Sequence, residues 1–304
     1  MPWPSAPYGP DYRRKVVATV SEVLTVGLFP GAFSAKLTRL HGPNRLGAVH
    51  AAKQLSVNPI SQARDWIEDA QSIAVLTGAG ISAESGIPTF RGPGGLWNNR
   101  RPEDLATPQA FARDPKLVWE WYVWRRERVA AARPNPGHRA LAKLEARGVQ
   151  CTLITQNVDG LHRAAGSRNL LELHGNLWRE RCVVCGREVE NHDSAARPLP
   201  PRCSCGGMLR PGVVWFGEAL PAAAIELAVQ AAQHCDVFLV CGTSVVVYPA
   251  AALPQRAIAA GARVIEVNLE ETPFSQFAHV SLRGKCGELL PQIIRVPPCP
   301  EPLI

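Results

Sequence analysis

Ser72-Ile-Ala-Val-Leu-Thr77, followed at once by Gly78-Ala79-Gly80-Ile81-Ser82, is the stretch that decides how this 304-residue chain folds. Six residues of near-continuous apolar character make a short strand buried on both faces, and the glycine turn behind it opens a helix. Glycines at such a turn let the backbone approach a phosphate, and the free N–H groups of a helix start favour an anion. The same texture recurs in the apolar runs Cys151–Thr155, Val237–Cys241 and Val264–Val267. Helical periods separate them: Ser61–Ala70, with Ala63, Ile67 and Ala70 on one face, then Pro136–Arg147, Ala222–Gln233 and Ala250–Ala260. Strands alternating with helices predict an α/β fold, a mainly parallel sheet covered by helices on both faces. Sheets of this kind bind ligands beyond the carboxyl ends of their strands. The turns after Thr77, Thr155, Cys241 and Val267 are therefore the places to look for chemistry.

Composition excludes several classes of function. With 46% apolar and 19% charged residues the chain reads as globular, and no charge-free apolar stretch is long enough to span a membrane. The net charge of +7 is concentrated at the amino end. Residues 1–60 carry seven Lys/Arg against two acids, a net +5, which leaves +2 for the rest. Nucleic-acid binding by the domain loses its main support here. Residues 1–57 are Pro-rich, basic and without an apolar period. They read as an extension outside the fold: a disordered tail, a stretch translated upstream of the true start, or a transit peptide. The domain proper then covers residues 58–304. Four of the nine Cys fall between positions 182 and 205. In a chain of this length that pattern fits a metal site in a reducing compartment better than a secreted disulfide framework.

Those four are Cys182-Val-Val-Cys185, then 17 residues, then Cys203-Ser-Cys205. Two close pairs of thiolates suit tetrahedral zinc, and four Cys leave no open coordination position, so the role is structural. The second pair is one residue tighter than the usual form, and Gly206 and Gly207 behind it relax the turn. The surrounding stretch, residues 178–216, has little helical period and reads as a small inserted module. Gln156-Asn157-Val158-Asp159-Gly160-Leu161-His162 follows a predicted strand directly. Its Gln156, Asn157 and Asp159 place three polar side chains in four positions, more than helix capping needs. His174, in Leu173-His174-Gly175, carries an imidazole that titrates near neutrality and suits proton abstraction, although an isolated histidine is as a rule structural. In Trp119-Glu-Trp-Tyr122-Val-Trp-Arg125-Arg126 the tryptophans read as core. Tyr122 and Arg125, three apart, share one helix face. A phenol beside a guanidinium can bind a carboxylate, with bidentate contact from Arg. Past Ser82 the chain continues through Pro- and Gly-rich sequence to Trp97, which reads as a flap over a site. The three spaced glycines of a dinucleotide fingerprint are missing, which disfavours an ordinary dehydrogenase.

Together these segments resemble the sirtuin family of NAD-dependent protein deacylases. GAGISAESGIPTFR from Gly78, QNVDGLH from Gln156, the LHG of His174, the paired cysteines, VVWFGE (Val213–Glu218), GTSVVVYPA (Gly242–Ala250) and EVNLE (Glu266–Glu270) stand in the family's order and spacing, from about Ile60 to Ile294. Tyr122-x-x-Arg125 is similar to the pair of the class III subgroup, whose members remove succinyl, malonyl and glutaryl groups.

The resemblance implies a Rossmann-like fold with an inserted zinc module, NAD consumed as co-substrate, one structural Zn2+, and His174 as general base. It implies an NAD-binding loop over Gly78–Trp97, with Gly78, Ala79, Gly80, Ala83, Thr89, Phe90, Arg91 and Trp97 against the cofactor. Gln156, Asn157 and Asp159 would line the ribose and nicotinamide pocket. Gly242, Thr243, Ser244, Asn268, Leu269 and Glu270 would hold the adenosine half, with Cys286 meeting the adenine through its backbone. Val214, Phe216, Gly217, Glu218 and the segment from Val246 to Tyr248 would form a groove in which an acyl-lysine peptide pairs as an added strand. The implied products are free lysine, nicotinamide and an O-acyl-ADP-ribose. Deacetylation with little acidic-acyl preference and mono-ADP-ribosyl transfer are rival activities on the same scaffold, and a non-catalytic module is a third reading. Beyond residue 60, Arg outnumbers Lys 23 to 3. That composition suggests a GC-rich bacterial genome and hence the cytoplasm, with a mitochondrial protein as the alternative if residues 1–57 are a transit peptide; a monomer is expected.

Overall fold

A computed structural model describes residues 58–89, 102–192 and 197–295. Residues 1–57, and with them the amino-terminal extension, lie outside the described residues, as do Phe90, Arg91 and Trp97.

The strands are β1 (Ser72–Thr77), β2 (Gln150–Thr155), β3 (Leu170–Glu172), β4 (Gly175–Cys182), β5 (Glu188–Glu190), β6 (Leu209–Val213), β7 (Val237–Cys241), β8 (Arg263–Asn268) and β9 (Val280–Arg283). The larger sheet runs β3-β2-β1-β7-β8-β9, and each pair in it is parallel. Its registers bring the carboxyl ends level: Thr77 pairs with both Thr155 and Cys241, and Cys241 with Val267. The four turns singled out by the sequence therefore leave one edge side by side.

The helices are α1 (Pro59–Asp69), α2 (Ala79–Ala83), α3 (Pro102–Leu105), α4 (Pro108–Arg113), α5 (Pro115–Ala131), α6 (Pro136–Ala146), α7 (Leu161–Ala164), α8 (Ala222–His234), α9 (Leu253–Ala259) and α10 (Cys286–Ile293). Four of them start alike, with a capping side chain and proline in the first turn: Asn58-Pro59, Thr107-Pro108, Asp114-Pro115 and Asn135-Pro136. The cap satisfies an orphan N–H, and proline has none to lose.

Period-two alternation along the strands divides the core. Ile73, Val75, Leu239 and Ile265 face α1, α6 and α10 through Ile67, Leu141, Leu144 and Leu290. Ala74, Leu76, Phe238 and Val264 face α8 and α9 through Ala228, Ala232, Leu253 and Ala257. A separate cluster joins α3, α4 and α5 to the smaller sheet, through Leu105, Phe111, Trp119, Tyr122, Leu177 and Trp215. No helix among the described residues is long and apolar enough to cross a membrane.

The structure differs from the expectations at one helix and at one boundary, and adds two strands they did not include. The stretch Ala250–Ala260 is not one helix: Ala250–Ala252 is a tight 3-10 turn, and α9 starts at Leu253, with Pro254 in its first turn where a missing N–H is tolerated. The segment 178–216, with its little helical period, is built of strands. It holds an antiparallel sheet in the order β5-β4-β6, and β4 begins at Gly175, ahead of the expected boundary. Strands β3 and β9 were not expected, being short sheet edges with mixed polar residues. The tryptophan-rich helix α5 is core, as its tryptophans suggested, in the cluster it shares with the smaller sheet.

Candidate functional site

Gly78 and Gly80 lead from β1 into α2, and Gly242 follows β7. A Cβ on Gly78 would come within 2.7 Å of the Thr243 Cβ, and one on Gly80 within 2.7 Å of the Gly242 carbonyl. The Gly80 N–H donates to that same carbonyl at 2.8 Å. These glycines thus lock two strand-end turns against each other, a use the phosphate reading of the sequence had not included.

The third turn, after β2, is tied into the same knot. Gln156 Nε2 donates to Thr243 Oγ1 at 2.9 Å. Asn157 Nδ2 donates to the Gly78 carbonyl at 3.0 Å and to Ser82 Oγ at 3.3 Å. Ser82 Oγ donates to Asp159 Oδ2 at 2.8 Å, while Asp159 Oδ1 accepts the Leu161 N–H at 2.9 Å. Asn157 and Asp159 are buried. Burial pushes the Asp159 carboxyl above its ordinary value, against the opposing pull of the Leu161 N–H, Ser82 and the Arg125 charge. Ser82 is the hub of this cluster. Behind it Thr77 Oγ1 lies 2.9 Å from His162 Nε2, and the His162 and His138 rings stand 4.8 Å apart. Both histidines are buried and held neutral by desolvation, His138 down to about 4. Sequence reading missed Ser82, Thr77, His138 and His162 as partners, because they converge from four separate segments and no spacing announces it.

His174 sits between β3 and β4. Its Nδ1 donates to the Gln156 carbonyl at 2.9 Å, which leaves Nε2 as the ring nitrogen carrying the lone pair. Burial holds the imidazole below its ordinary value despite that hydrogen bond. The His174 carbonyl accepts the Val214 N–H at 2.9 Å, and the Ala106 carbonyl accepts the Phe216 N–H at 2.9 Å. The segment carrying Val214, Phe216 and Gly217 is thus anchored to the histidine's own backbone. Phe216 and Tyr248 are half-exposed, 49% and 51%, and Val246 is partly buried.

Tyr122 and Arg125 are both buried on α5 and hydrogen-bond each other. Trp215 Nε1 donates to the Tyr122 hydroxyl at 2.9 Å, and the Arg125 guanidinium lies 4.8 Å from the Trp121 ring centre. Desolvation raises the Tyr122 pKa, so the phenol stays protonated. Arg125 lines a small cavity with Ala79, Ser82, Ile87, Asn157 and Asp159. Arg125 of α5 and the strand-end turns therefore meet at one place.

On the far side, Ser244, Leu269 and Glu270 stand exposed along the carboxyl edge, with Gly242 and Thr243 buried beneath. Asn268 Nδ2 donates to the Thr243 carbonyl at 2.9 Å. Cys286 opens α10 with its thiol donating to the Val267 carbonyl at 3.6 Å, and burial pushes that thiol up to about 12, as an inert structural cysteine requires. A hydroxyl, a carboxylate and an apolar side chain together offer what a ribose diol and a purine need. Ala83 ends α2, and Thr89 lies in the loop behind it.

The sulfur atoms of Cys182, Cys185, Cys203 and Cys205 all lie within 4.8 Å of one another, with Cys182–Cys205 at 3.5 Å and Cys185–Cys203 at 3.8 Å. Zn–S bonds of about 2.3 Å in a tetrahedron put sulfurs about 3.8 Å apart, so the four fit zinc. The tight second pair closes because Gly206 takes a left-handed φ of 85°. A Cβ on Gly207 would lie 2.8 Å from Cys182 Sγ.

The chain matches the Sir2 family over residues 78–249. It is 57% identical over 231 residues to a Pyrobaculum aerophilum protein named NAD-dependent protein deacylase 2, covering 76% of this chain and 92% of that one. It is 56% identical over 223 residues to the NAD-dependent protein deacylase of Aquifex aeolicus, covering 73% and 93%. A solved structure described as a Sir2 homolog–NAD complex superposes with a TM-score of 0.74 at 51% identity, over 77% of this chain and 92% of that one. Identity and coverage at this level mean common descent: the chain belongs to the Sir2 family.

Proposed function

We propose that this protein removes acyl groups from the lysine side chains of proteins or peptides at the expense of NAD, and that it takes succinyl, malonyl or glutaryl groups in preference to acetyl. NAD supplies the ribose carbon that receives the acyl oxygen as nicotinamide leaves, and after attack of the ribose hydroxyl on the acyl carbon, water releases free lysine and leaves O-acyl-ADP-ribose. His174, neutral and with its Nε2 lone pair available, takes the proton from the attacking ribose hydroxyl. Asn157 and Asp159 hold the ribose and nicotinamide end, the edge from Gly242 to Ser244 and from Asn268 to Glu270 the adenosine end. Val214, Phe216, Gly217, Val246 and Tyr248 flank the peptide. The zinc at Cys182, Cys185, Cys203 and Cys205 is structural.

The acyl preference rests on one observation: a buried guanidinium, Arg125, beside a protonated phenol, Tyr122, lines the cavity that reaches Asn157 and Asp159. A carboxylate tip can use both groups, and an acetyl group neither. We place the activity in residues 58–304, acting as a cytoplasmic monomer without nucleic acid. Mass spectrometry of succinyl- and acetyl-lysine peptides incubated with NAD tests the reading. Acyl-ADP-ribose should form, and faster from the succinyl peptide. ADP-ribosylated protein in place of acyl-ADP-ribose would replace deacylation by transfer, and equal rates for the two peptides would remove the acidic preference.

A further inference from the structure

We propose that Glu266 is a positioning residue that sets the affinity for the adenosine half of NAD, by holding ready the loop that leaves β8. Glu266 is fully buried within β8, between the core residues Ile265 and Val267. A carboxylate in that position is costly unless its oxygens are satisfied, and packing of the sheet does not call for one. Its oxygens collect four side-chain donors. Oε1 accepts from Thr272 Oγ1 at 2.6 Å; Oε2 accepts from Ser275 Oγ at 2.7 Å, Ser281 Oγ at 2.6 Å and Arg283 Nη1 at 2.9 Å. Burial pushes the carboxyl up, but these donors outweigh it and leave it ionised below its ordinary value.

The donors come from two places: Thr272 and Ser275 from the loop leaving β8, Ser281 and Arg283 from the edge strand β9. Between the end of β8 at Asn268 and the first of these donors, Thr272, lies the stretch from Leu269 to Glu271. Its front end is fixed where the Gly284 N–H donates to the Asn268 carbonyl at 3.0 Å and Asn268 reaches Thr243. Its back end is fixed by Thr272 on Glu266. Leu269 is 65% exposed, so the loop has little packing of its own to hold it. A loop already ordered by its two ends loses less entropy when a ligand closes on it. The inference rests on the reading that Asn268, Leu269 and Glu270 meet adenosine.

The test is Glu266→Gln in the full chain, read by ADP-ribose titration calorimetry and by steady-state kinetics. The expected result is an ADP-ribose Kd and an NAD KM raised about ten-fold, with kcat and the acyl-peptide KM within about two-fold of the parent. Unchanged ADP-ribose affinity in the folded variant overturns the proposal. So does a fall in kcat that tracks loss of folded protein while the NAD KM stays put, which is what a purely structural role would give. Should Glu266→Gln not fold, Thr272→Val and Ser281→Ala each remove one donor and keep the carboxylate. Weakened ADP-ribose binding in the Thr272 variant supports the proposal, and parental affinity in both overturns it. Failure of the parent protein to bind ADP-ribose would instead sink the NAD reading itself.

Discussion

His174 Nδ1 donates to the backbone carbonyl of Gln156 at 2.9 Å, which joins the histidine to the turn that carries Asn157 and Asp159. The hydrogen bond fixes the tautomer, and burial fixes the charge state. The base form should therefore persist below pH 6.5, the ordinary histidine value. The acid limb of kcat/KM should fall at a pH lower than that, because a depressed pKa moves loss of the neutral form toward acid. His174→Ala should lower kcat/KM for deacylation by about 10²- to 10⁴-fold while keeping one zinc per chain. Near-parental turnover in the variant would remove His174 from the mechanism.

Arg125→Met keeps the stem and deletes the charge. Loss of a charge-assisted contact costs about 1.5–3 kcal/mol. The succinyl-to-acetyl ratio of kcat/KM should accordingly drop by roughly 10- to 150-fold, with acetyl turnover little changed. An unaltered ratio would show that the α5 pair does not read the acyl group.

Glu180, buried on β4, binds Arg126 of α5 at 2.8 Å and also pairs with Arg197. The pair stitches the zinc-bearing sheet to the helix that carries Tyr122 and Arg125, as does Trp119 Nε1 on the Leu209 carbonyl at 2.8 Å. Glu180→Ala leaves the Arg126 charge buried without its carboxylate. It should cost about 3–5 kcal/mol in denaturant unfolding. Zinc content, measured by atomic absorption, should stay at one per chain in the folded protein.

Gly242 has φ +59°, and a side chain there would run into the Ile81 backbone nitrogen. Gly242→Ala should cost about 2 kcal/mol or more and weaken ADP-ribose binding, because the turns after β1 and β7 can no longer close on each other. Parental Tm and affinity would show that the turns have slack.

His138 is buried neutral, its pKa pushed down to about 4 from 6.5 by desolvation and by Arg139. The unfolded chain binds the proton more readily than the folded one. Stability from this group is therefore fully present above pH 6.5 and is lost as pH falls toward 4. The size is on the order of 3 kcal/mol. Urea unfolding at pH 7.5 and pH 4.5 should show a steeper acid loss for the parent than for His138→Gln. Equal losses would mean His138 titrates normally.

Sequence alone determined the parallel α/β frame, because the apolar runs at Ser72–Thr77 and Val237–Cys241 and the cap-proline helix starts are local signals with local causes. It also determined the four zinc cysteines, whose spacing is itself the coordination chemistry, and the polar run Gln156, Asn157, Asp159. Tertiary structure alone decided what those residues do to one another. The edge strands β3 and β9 exist because neighbouring strands pair with them, and no pattern of their own marks them. Ser82 became the hub of the site only when the level carboxyl ends of β1, β2 and β7 brought three distant turns into contact. Gly78 and Gly80 looked like a cradle for phosphate, and the fold shows them also packing against the turn of Gly242 and Thr243. Tyr122 and Arg125 were legible as a helix-face pair. That Arg125 shares a cavity with Asp159 depends on packing between α5 and a second sheet, a long-range contact that no sequence period encodes.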